Sequence, residues 1–301
     1  MTSDSHNTNV HSVDAPTTPM ITRIAGSNFS YQHRPLRECL DDMADLDRSA
    51  IELWGIAPEL HVPALSDKDA RIIAGEAQSR GLEIVCFTPE QVAYPVNIAS
   101  PDKSLRAASI AMFKRAAELA VEFTNGDRTP LLFLTSGRGF ESEPTADAWT
   151  RCIDALGAIT DYATDLGVEC VLEPLQRVES NLVTSTAEAA SALAEIRCDS
   201  LGIVLDTVAM IAAGEEVDEY FSMFGTRVKH VHLVDGNPTG HLALGDGDLP
   251  MLDILTSLAA HDYHGWMTIE LFGAGSYAFD PRPAVEKSLN AIINADLHFS
   301  A

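Results

Sequence analysis

Four side chains that commonly bind metal ions lie at the ends of four consecutive short apolar segments. Glu173 and Asp206 each follow a Val-Leu pair, His232 follows Val231, and Glu270 follows a Thr-Ile pair. If these segments are parallel strands of a barrel, each of the four side chains points inward while its apolar neighbour points toward the surrounding helices. Three carboxylates buried together repel each other and lose hydration unless a cation neutralises them. The pattern therefore predicts a site for one divalent metal ion, with Mn²⁺ the first expectation and Mg²⁺, Co²⁺ or Zn²⁺ as alternatives.

Polar residues near this group are the candidates for contact with a substrate. His230 shares the inward face with His232 but lies one layer deeper, which is typical of a hydrogen-bonded core histidine or of a residue that supports a metal ligand. Glu52 ends the second predicted strand, where it could contact substrate, orient a ligand or pair with Arg138. His241 lies on a loop over the predicted barrel mouth, where it could act as a general acid or be an ordinary loop residue. We therefore predict Glu52 and Arg138 as substrate-binding residues and His241 as a catalytic one.

Aromatic side chains at or just after the predicted strand ends are candidates for the walls of a pocket. Trp54 and Tyr94 have ring faces that could stack on a sugar or on a ring attached to it. Most aromatic residues at such positions only pack in the core, and Phe87 is expected to do so. We predict Trp54 and Tyr94 as pocket walls.

Eight short β-branched or apolar segments alternate with longer segments of helical periodicity. The predicted strands are residues 21–25, 50–54, 82–87, 131–135, 169–173, 202–206, 228–234 and 266–271. The predicted helices are residues 66–80, 104–123, 146–166, 186–196, 217–224, 252–261 and 283–293. This alternation is typical of an α/β fold, and eight strands favour a (β/α)8 TIM barrel. A doubly wound sheet would use five or six strands and a glycine-rich phosphate turn after the first strand, and no such turn is present.

The composition fits one barrel domain preceded by a tail. The chain has 301 residues, of which 46% are hydrophobic, and the barrel is predicted to use residues 21–301. Residues 1–20 are rich in Ser, Thr, Asn and Asp and are predicted to be a disordered tail rather than a signal peptide. The net charge of −24 argues against unaided binding to nucleic acid or to an anionic membrane. The five cysteines form no CxxC pair and no segment resembles a membrane helix, so we expect a cytoplasmic protein with reduced thiols.

Several segments resemble the xylose isomerase-like barrel superfamily, in the branch that contains fructoselysine 3-epimerase and the tagatose and psicose 3-epimerases. The segments that carry the resemblance are 51–54 (IELW), 87–90 (FTPE), 94–95 (YP), 172–175 (LEPL), 179–181 (ESN), 230–235 (HVHLVD) and 240–247 (GHLALGDG). The resemblance covers most of the chain after the tail. It implies that Glu173, Asp206, His232 and Glu270 bind the metal ion, and that the first and last also act as acid and base on opposite faces of the substrate. It further implies that Glu179 lies near the substrate.

The resemblance also implies a reaction. In this branch a proton is lost beside a ketone, and a metal chelated by the ketone oxygen and an adjacent hydroxyl stabilises the resulting enediolate. We therefore expect a metal-dependent sugar isomerase or epimerase. The tagatose and psicose epimerases carry a substrate-binding His at the position of Ala209 and an Arg at that of Pro238. Because the fructoselysine branch lacks both groups as well, these departures favour a bulkier or substituted sugar over a simple ketohexose.

The sequence leaves two alternatives open. The chain also resembles the catalytic subunits of bacterial 3-oxo C-glycoside deglycosidases, which are lyases that retain the metal and the first proton abstraction but expel an aglycone. A non-catalytic barrel that binds sugar without a metal is the third hypothesis, and the complete ligand set argues against it. The expected partner is a small-molecule sugar or glycoside. We also expect an oligomer, with a small β-rich partner subunit if the deglycosidase hypothesis holds.

Overall fold

The strands of this chain form one closed parallel barrel. The computed structural model describes residues 19–91, 94–124, 128–273 and 277–299. The strands pair in chain order and the barrel closes where β1 pairs with β8. Their bounds are β1 Ile24–Ser27, β2 Ala50–Gly55, β3 Glu83–Pro89, β4 Leu131–Leu134, β5 Glu169–Leu172, β6 Gly202–Asp206, β7 Val228–Leu233 and β8 Trp266–Ile269. The predicted (β/α)8 barrel is confirmed.

The first strand begins three residues later than predicted. A short 3₁₀ helix, Met20–Arg23, occupies the start of the predicted segment. Its first two backbone N–H groups, those of Met20 and Ile21, donate to the carboxylate of Asp296 at 2.9 and 2.8 Å. These groups are therefore bonded to the last helix and do not take part in the sheet. Met20 is buried, so the predicted tail of residues 1–20 is wrong at its last residue, whereas residues 1–18 lie outside the described part of the chain.

Helices follow the strands and cover the outside of the barrel. In the described residues they are α1 Leu36–Asp45, α2 Asp67–Ser79, α3 Lys103–Phe123, α4 Thr145–Asp165, α5 Thr186–Ile196, α6 Thr207–Ala213, α7 Val217–Phe224, α8 Met251–Ala260 and α9 Arg282–Phe299. All seven predicted helices are present, and the last is longer than predicted. Two others, α1 and α6, were not predicted. The second of these starts directly after Asp206 and has only seven residues, too few to show a helical period.

Local sequence signals fix where helices begin and end. The hydroxyl of Ser66 accepts the N–H of Asp69 at 3.2 Å, and the Asp69 carboxylate bonds back to Ser66, which completes a capping box at the start of α2. Gly81 and Gly167 follow α2 and α4 with φ values of 76° and 74°. Only glycine adopts this left-handed conformation without strain, so each helix stops there and the chain turns back into the next strand.

The core lies between the barrel and its helices. Outward-facing strand residues such as Leu172, Leu205 and Val231 belong to a large cluster of buried apolar side chains. The cysteines are free thiols, four of them buried and Cys198 partly buried. Among the helices of the described residues, none is long and apolar enough to cross a membrane.

Candidate metal centre and adjoining pocket

The four predicted metal-binding side chains come together at the carboxyl-terminal mouth of the barrel. Glu173 and Glu270 directly follow β5 and β8, Asp206 ends β6, and His232 lies in β7. One ligand atom from each lies within 4.8 Å of those of the other three, and all four residues are buried. Neighbouring parallel strands end side by side, and this brings together residues that are far apart in the sequence.

The donor set fits a divalent cation. His232 Nδ1 lies 2.9 Å from Glu173 Oε1 and 3.1 Å from Glu270 Oε2. Asp206 Oδ1 accepts the N–H of Ala209 at 2.6 Å, but Asp206 Oδ2 is buried without a hydrogen-bond partner in the described part of the chain. A buried carboxylate oxygen with no donor is unfavourable. Because this oxygen lies in a group of three carboxylates and one imidazole, a divalent cation is its natural partner. These residues therefore fit the predicted metal ion.

The pKa shifts show how much negative charge is concentrated here. Burial, together with the charges of Asp206 and Glu270, raises the pKa of Glu173 well above its usual range. Burial also raises the pKa of Asp206, and the charge of Glu270 adds to this effect. Burial opposes the charged form of Glu270 too, but His232 and His241 hold its pKa below the usual value. The negative charge of the carboxylates thus exceeds the positive charge that the nearby histidines supply.

A second polar layer lies beneath His232. The carboxylate of Glu52 is fully buried and accepts from His232 Nε2, which lies 3.2 Å from each of its oxygens. It also accepts from His230 Nε2 at 2.8 Å and from the hydroxyl of Thr88. Glu52 therefore lies below the pocket and holds the ring of His232 so that its Nδ1 faces the carboxylates above. This position corresponds to the orienting role that was one of its predicted alternatives, and does not allow direct contact with a substrate in the pocket.

Arg138 has different partners from the one the sequence suggested. Its guanidinium donates to the backbone oxygens of Arg177 and Val178 at 3.2 and 2.9 Å, and to Glu141 Oε1 at 2.9 Å. The predicted alternative of a pair with Glu52 is wrong, because Glu52 is enclosed by the barrel while Arg138 lies on the surface loops after β4. Arg138 lines a cavity next to the main pocket.

The main pocket is a cavity of about 430 Å³ above the metal-binding group. One wall is aromatic, because Trp54 stacks on Phe29 with ring centroids 4.8 Å apart and Phe272 packs edge-on against both. The opposite wall carries polar side chains from the segments after β3, β4 and β5, namely Gln91, Thr135, Gln176 and Glu179. A small polyol with an apolar C–H face and hydroxyl edges matches these two walls.

Of the two aromatic residues predicted to line the pocket, only Trp54 does so. Trp54 lines the main pocket. Tyr94 does not, because it lies on a loop farther out, where its hydroxyl accepts the N–H of Ala57 and its ring packs edge-on against His61. Tyr94 instead lines two neighbouring cavities. Phe87 packs against Phe123 in the core, as expected.

His241 reaches the metal-binding group from a loop after β7. Its Nε2 lies 3.5 Å from Glu270 Oε2, and the ring packs edge-on against Phe272. The backbone oxygen of His241 accepts the N–H groups of Phe272 and Gly273 at 3.1 and 2.7 Å. The loop is thereby joined to the segment after β8, and the imidazole is placed where it can hydrogen-bond a substrate or Glu270.

Asp235, for which we predicted no role, holds this loop in place. Its carboxylate is 1% exposed and accepts four backbone N–H groups at 2.8 to 3.1 Å, from Gly236, Gly245, Gly247 and Leu249. A Cβ atom at Gly247 would lie 2.4 Å from Asp235 Oδ1, so this position requires glycine. The aspartate directly before a glycine-rich loop was the available signal.

Glu179 lies on the polar wall of the main pocket, which Asp206 and Glu270 also line. Burial, with the negative charges of Asp206 and Glu270, raises the pKa of Glu179 to about 7, against the opposing effect of His241. Several lining residues were not predicted, among them Phe29 and Gln176. The sequence signal for Phe29 was lost with the misplaced first strand, and Gln176 follows the Glu-Pro-Leu segment without a residue type that suggests function.

The chain matches a protein-family model and several known proteins. The model, described as a xylose isomerase-like TIM barrel, matches residues 40–295. Fructoselysine 3-epimerase of Escherichia coli O157:H7 is 29% identical over 261 residues, which are 86% of this chain and 93% of that protein. L-ribulose 3-epimerase of Mesorhizobium japonicum is 26% identical over 179 residues, 59% of each chain.

Solved structures show the same fold. The crystal structure of D-psicose 3-epimerase from Clostridium cellulolyticum H10 with D-tagatose has a TM-score of 0.74 and 17% identity, over 92% of this chain and 99% of that one. The apo structure of 3-keto-D-glucoside 4-epimerase from E. coli has a TM-score of 0.71 and 16% identity, over 90% of this chain and 99% of that one. At these identities the likeness is one of fold.

Proposed function

Because this chain belongs to the xylose isomerase-like TIM barrel family, we propose that it is a divalent-metal-dependent sugar epimerase or isomerase that removes a proton next to a ketone. The observation that carries the proposal is the pair of buried carboxylates, Glu173 and Glu270, in one metal-competent group at the floor of the main pocket. The relatives that support it are named as fructoselysine and L-ribulose 3-epimerases.

The metal ion, for which Mn²⁺ is our first choice, would be held by Glu173, Asp206, His232 and Glu270. When bound, it supplies Lewis-acid stabilisation of the negative charge that develops on substrate oxygens as the proton leaves. Glu52 keeps the His232 ring oriented with Nδ1 toward this group.

The two carboxylates at the pocket floor carry the proton transfer. One takes the proton from the carbon beside the ketone, so that a C–H bond breaks and a carboxyl O–H bond forms. The other gives a proton to the same carbon from the opposite face, which inverts its configuration and leaves the composition of the sugar unchanged. In the reverse direction the two residues exchange roles.

The remaining pocket residues bind and orient the sugar. Trp54 and Phe272 offer an aromatic surface to its C–H face, whereas Glu179 and Gln176 offer oxygen acceptors to its hydroxyl groups. His241 lies beside Glu270, where it can hydrogen-bond an oxygen of the substrate or hold the carboxylate in position. Together these contacts place the reacting carbon over the floor of the pocket.

Solvent exchange tests the proposal. The metal-loaded protein is incubated in D₂O with a panel of ketoses and substituted ketoses, and we expect deuterium at the carbon next to the ketone together with the epimeric product. Substitution of Glu173 or Glu270 by Gln should slow epimer formation by about 10³-fold. Release of an aglycone from a 3-oxo-C-glycoside, with no exchange into any ketose, would overturn the proposal in favour of the lyase. A protein that binds sugar but neither binds metal nor exchanges would support a non-catalytic barrel.

A further inference from the structure

We propose that Gln91 is a specificity-determining residue of this site, and that its amide donates to a hydroxyl group at the end of the sugar that lies away from the metal-binding group. This inference rests on the proposed function and specifies its substrate as a ketose with a free hydroxyl at that end. Gln91 follows β3, is partly buried and lines the main pocket. Its amide is held by Thr135, which follows β4.

Two hydrogen bonds fix the orientation of the Gln91 amide. Its Oε1 accepts the backbone N–H of Thr135 at 3.1 Å and also the hydroxyl of the same residue. A backbone N–H can only donate, so the amide atom that faces it must be the oxygen and not the nitrogen. The NH₂ group of Gln91 therefore points away from Thr135, and it presents only donors to the space beside it.

Gln91 lies across the barrel mouth from the metal-binding group. The four metal-binding side chains belong to β5, β6, β7 and β8 or directly follow them, whereas Gln91 follows β3. Because the eight strands pair in chain order around a closed barrel, β3 lies opposite β7, which carries His232. A sugar whose ketone end is held at the metal-binding group therefore extends its other end toward Gln91.

The structure leaves room for that end of the sugar beside Gln91. A side cavity of about 230 Å³ adjoins the main pocket there. The residues that line both cavities are Gln91, Thr135, Leu175 and Glu179. The Gln91 amide thus lies where the main pocket opens into the side cavity, and a sugar carbon that passes this point comes within reach of its NH₂ group.

Acceptors border the same opening. The hydroxyl of Thr135 gives its only proton to Gln91 and can otherwise only accept, and the carboxylate of Glu179 offers oxygen atoms. A hydroxyl group on the sugar can accept from Gln91 and donate its own proton to one of these oxygens. A methyl ether can only accept, and a CH₂ group can do neither. The arrangement therefore selects for a free hydroxyl.

The first test uses the wild-type holoenzyme. The parent sugar is the ketose of the D₂O panel with the highest kcat/KM. It is compared with derivatives that carry either a hydrogen atom or a methyl ether in place of one hydroxyl, at each position beyond the reacting carbon. At one position we expect kcat/KM of the deoxy sugar to be about 10-fold lower than that of the parent, with the methyl ether between the two. Equal kcat/KM for the parent and all deoxy sugars would overturn the inference.

The second test changes Gln91. Gln91→Met removes the amide at similar length, so the preference for the parent over the deoxy sugar should disappear. Gln78→Met, the same substitution at an exposed position of α2, is the matched control and should keep the wild-type preference. Gln91→Glu keeps the oxygen that Thr135 bonds but replaces the NH₂ group by a second oxygen. The methyl ether should then become a poorer substrate than the deoxy sugar, because two acceptors face each other.

Thr135 is a positioning residue in this scheme, since it acts through Gln91. Thr135→Val removes the hydroxyl at similar shape and should weaken the preference for the parent sugar, whereas Thr135→Ser keeps the hydroxyl and should preserve it. In a Gln91→Met background, Thr135→Val should cause no further change in the preference. An equal loss with Val and Ser would overturn the positioning role.

Thermal unfolding of each variant shows whether it is folded, and a wild-type preference in a folded Gln91→Met variant would overturn the inference. If Gln91→Met does not fold, Gln91→Glu decides, because it keeps both bonds to Thr135. If no ketose exchanges deuterium, it is the proposed function that fails. Titration calorimetry of the metal-loaded protein with D-psicose and its 4-, 5- and 6-deoxy derivatives then tests Gln91 by itself, with the same preferences expected in Kd.

Discussion

Two layers of buried acids and histidines lie one above the other in the barrel, and their balance is opposite. In the lower layer one carboxylate, that of Glu52, accepts from two imidazoles and a hydroxyl. In the upper layer three carboxylates face the imidazole of His232, His241 lies beside only one of them, Glu270, and one oxygen of Asp206 has no partner among the described residues. The carboxylate of the lower layer is therefore satisfied by donors, although His230 Nδ1 is buried without a hydrogen-bond partner among the described residues. In the upper layer the carboxylates outnumber their donors, and this is the layer that needs an added cation.

The largest effect is expected in the upper layer. Glu173→Gln removes a proton-transfer group and a metal ligand, and we expect kcat to fall by about 10³-fold, within the usual range for loss of a general acid or base. The matched control is Glu169→Gln, at the opposite end of the same strand, where the side chain lies 3.8 Å from Lys229. Epimer formation should stay near the wild-type rate in that control. Comparable losses in both variants would contradict the assignment.

The lower layer should act through metal affinity. Glu52→Gln keeps the shape but replaces a carboxylate oxygen by an amide NH₂, which cannot accept from His232 Nε2. We expect the Kd for Mn²⁺ to rise by about 10- to 100-fold, with much of the activity restored at saturating metal. Isothermal titration gives the Kd, and Glu83→Gln, at the solvent-exposed start of β3, is the control. A lower melting temperature with an unchanged Kd would reduce Glu52 to a purely structural residue.

Metal removal should separate the two layers by stability. A free ion at about 100 times its Kd stabilises the folded state by about 2.7 kcal/mol, which corresponds to a rise in Tm of about 5 °C for a chain of this size. Calorimetry with and without a chelator measures this shift. Asp206→Asn should greatly reduce the shift, since it removes a ligand from the upper layer alone. An equal shift in that variant would mean that the stabilising ion binds elsewhere.

The smallest effect concerns Glu179, at the edge of the upper layer. Because the pKa of Glu179 is raised to about 7, the folded chain binds its proton more tightly than the unfolded chain does. Stability should therefore fall as the pH rises from about 4.5 to about 7, where this carboxylate ionises in the folded state. Glu179→Gln should lessen that fall in the metal-free protein by on the order of 1 kcal/mol.

Urea unfolding at pH 5 and pH 8 checks the expectation for Glu179. Glu76→Gln, at an exposed position of α2, serves as the control and should follow the wild type. A pH dependence that is the same with and without Glu179 would show that its carboxylate ionises alike in the folded and unfolded chains.

Much of the fold and the metal group follows from local patterns in the sequence. Glu173, Asp206, His232 and Glu270 each end an apolar segment, and the alternation of side chains along a strand is enough to place them on one face. Seven of the eight strands were predicted within two residues at each end. The first was displaced because Asp296, far along the chain, caps the backbone at Met20, and no local pattern records that contact.

The pocket walls were harder to predict because they depend on packing between loops. Tyr94 was expected at the substrate but lies farther out, where its hydroxyl meets Ala57. Gln176 lies between the turn after β5 and helix α6, and this helix was not predicted. Whether a buried atom has a hydrogen-bond partner depends on its neighbours in three dimensions. The sequence therefore could not show that Gln176 Oε1 has no partner among the described residues.

The four backbone hydrogen bonds that Asp235 accepts have a consequence for the engineering of this enzyme. The carboxylate of Asp235 accepts four backbone hydrogen bonds from the loop after β7, and the backbone oxygen of His241 accepts two more from the segment after β8. These bonds fix the loop against β7 and β8. A loop fixed in this way tolerates few insertions or substitutions. Libraries aimed at new substrates should therefore target residues 177–178 and 212–213, where the side chains are exposed. The hydrogen bonds of Asp235 thus limit which part of the barrel mouth can be varied.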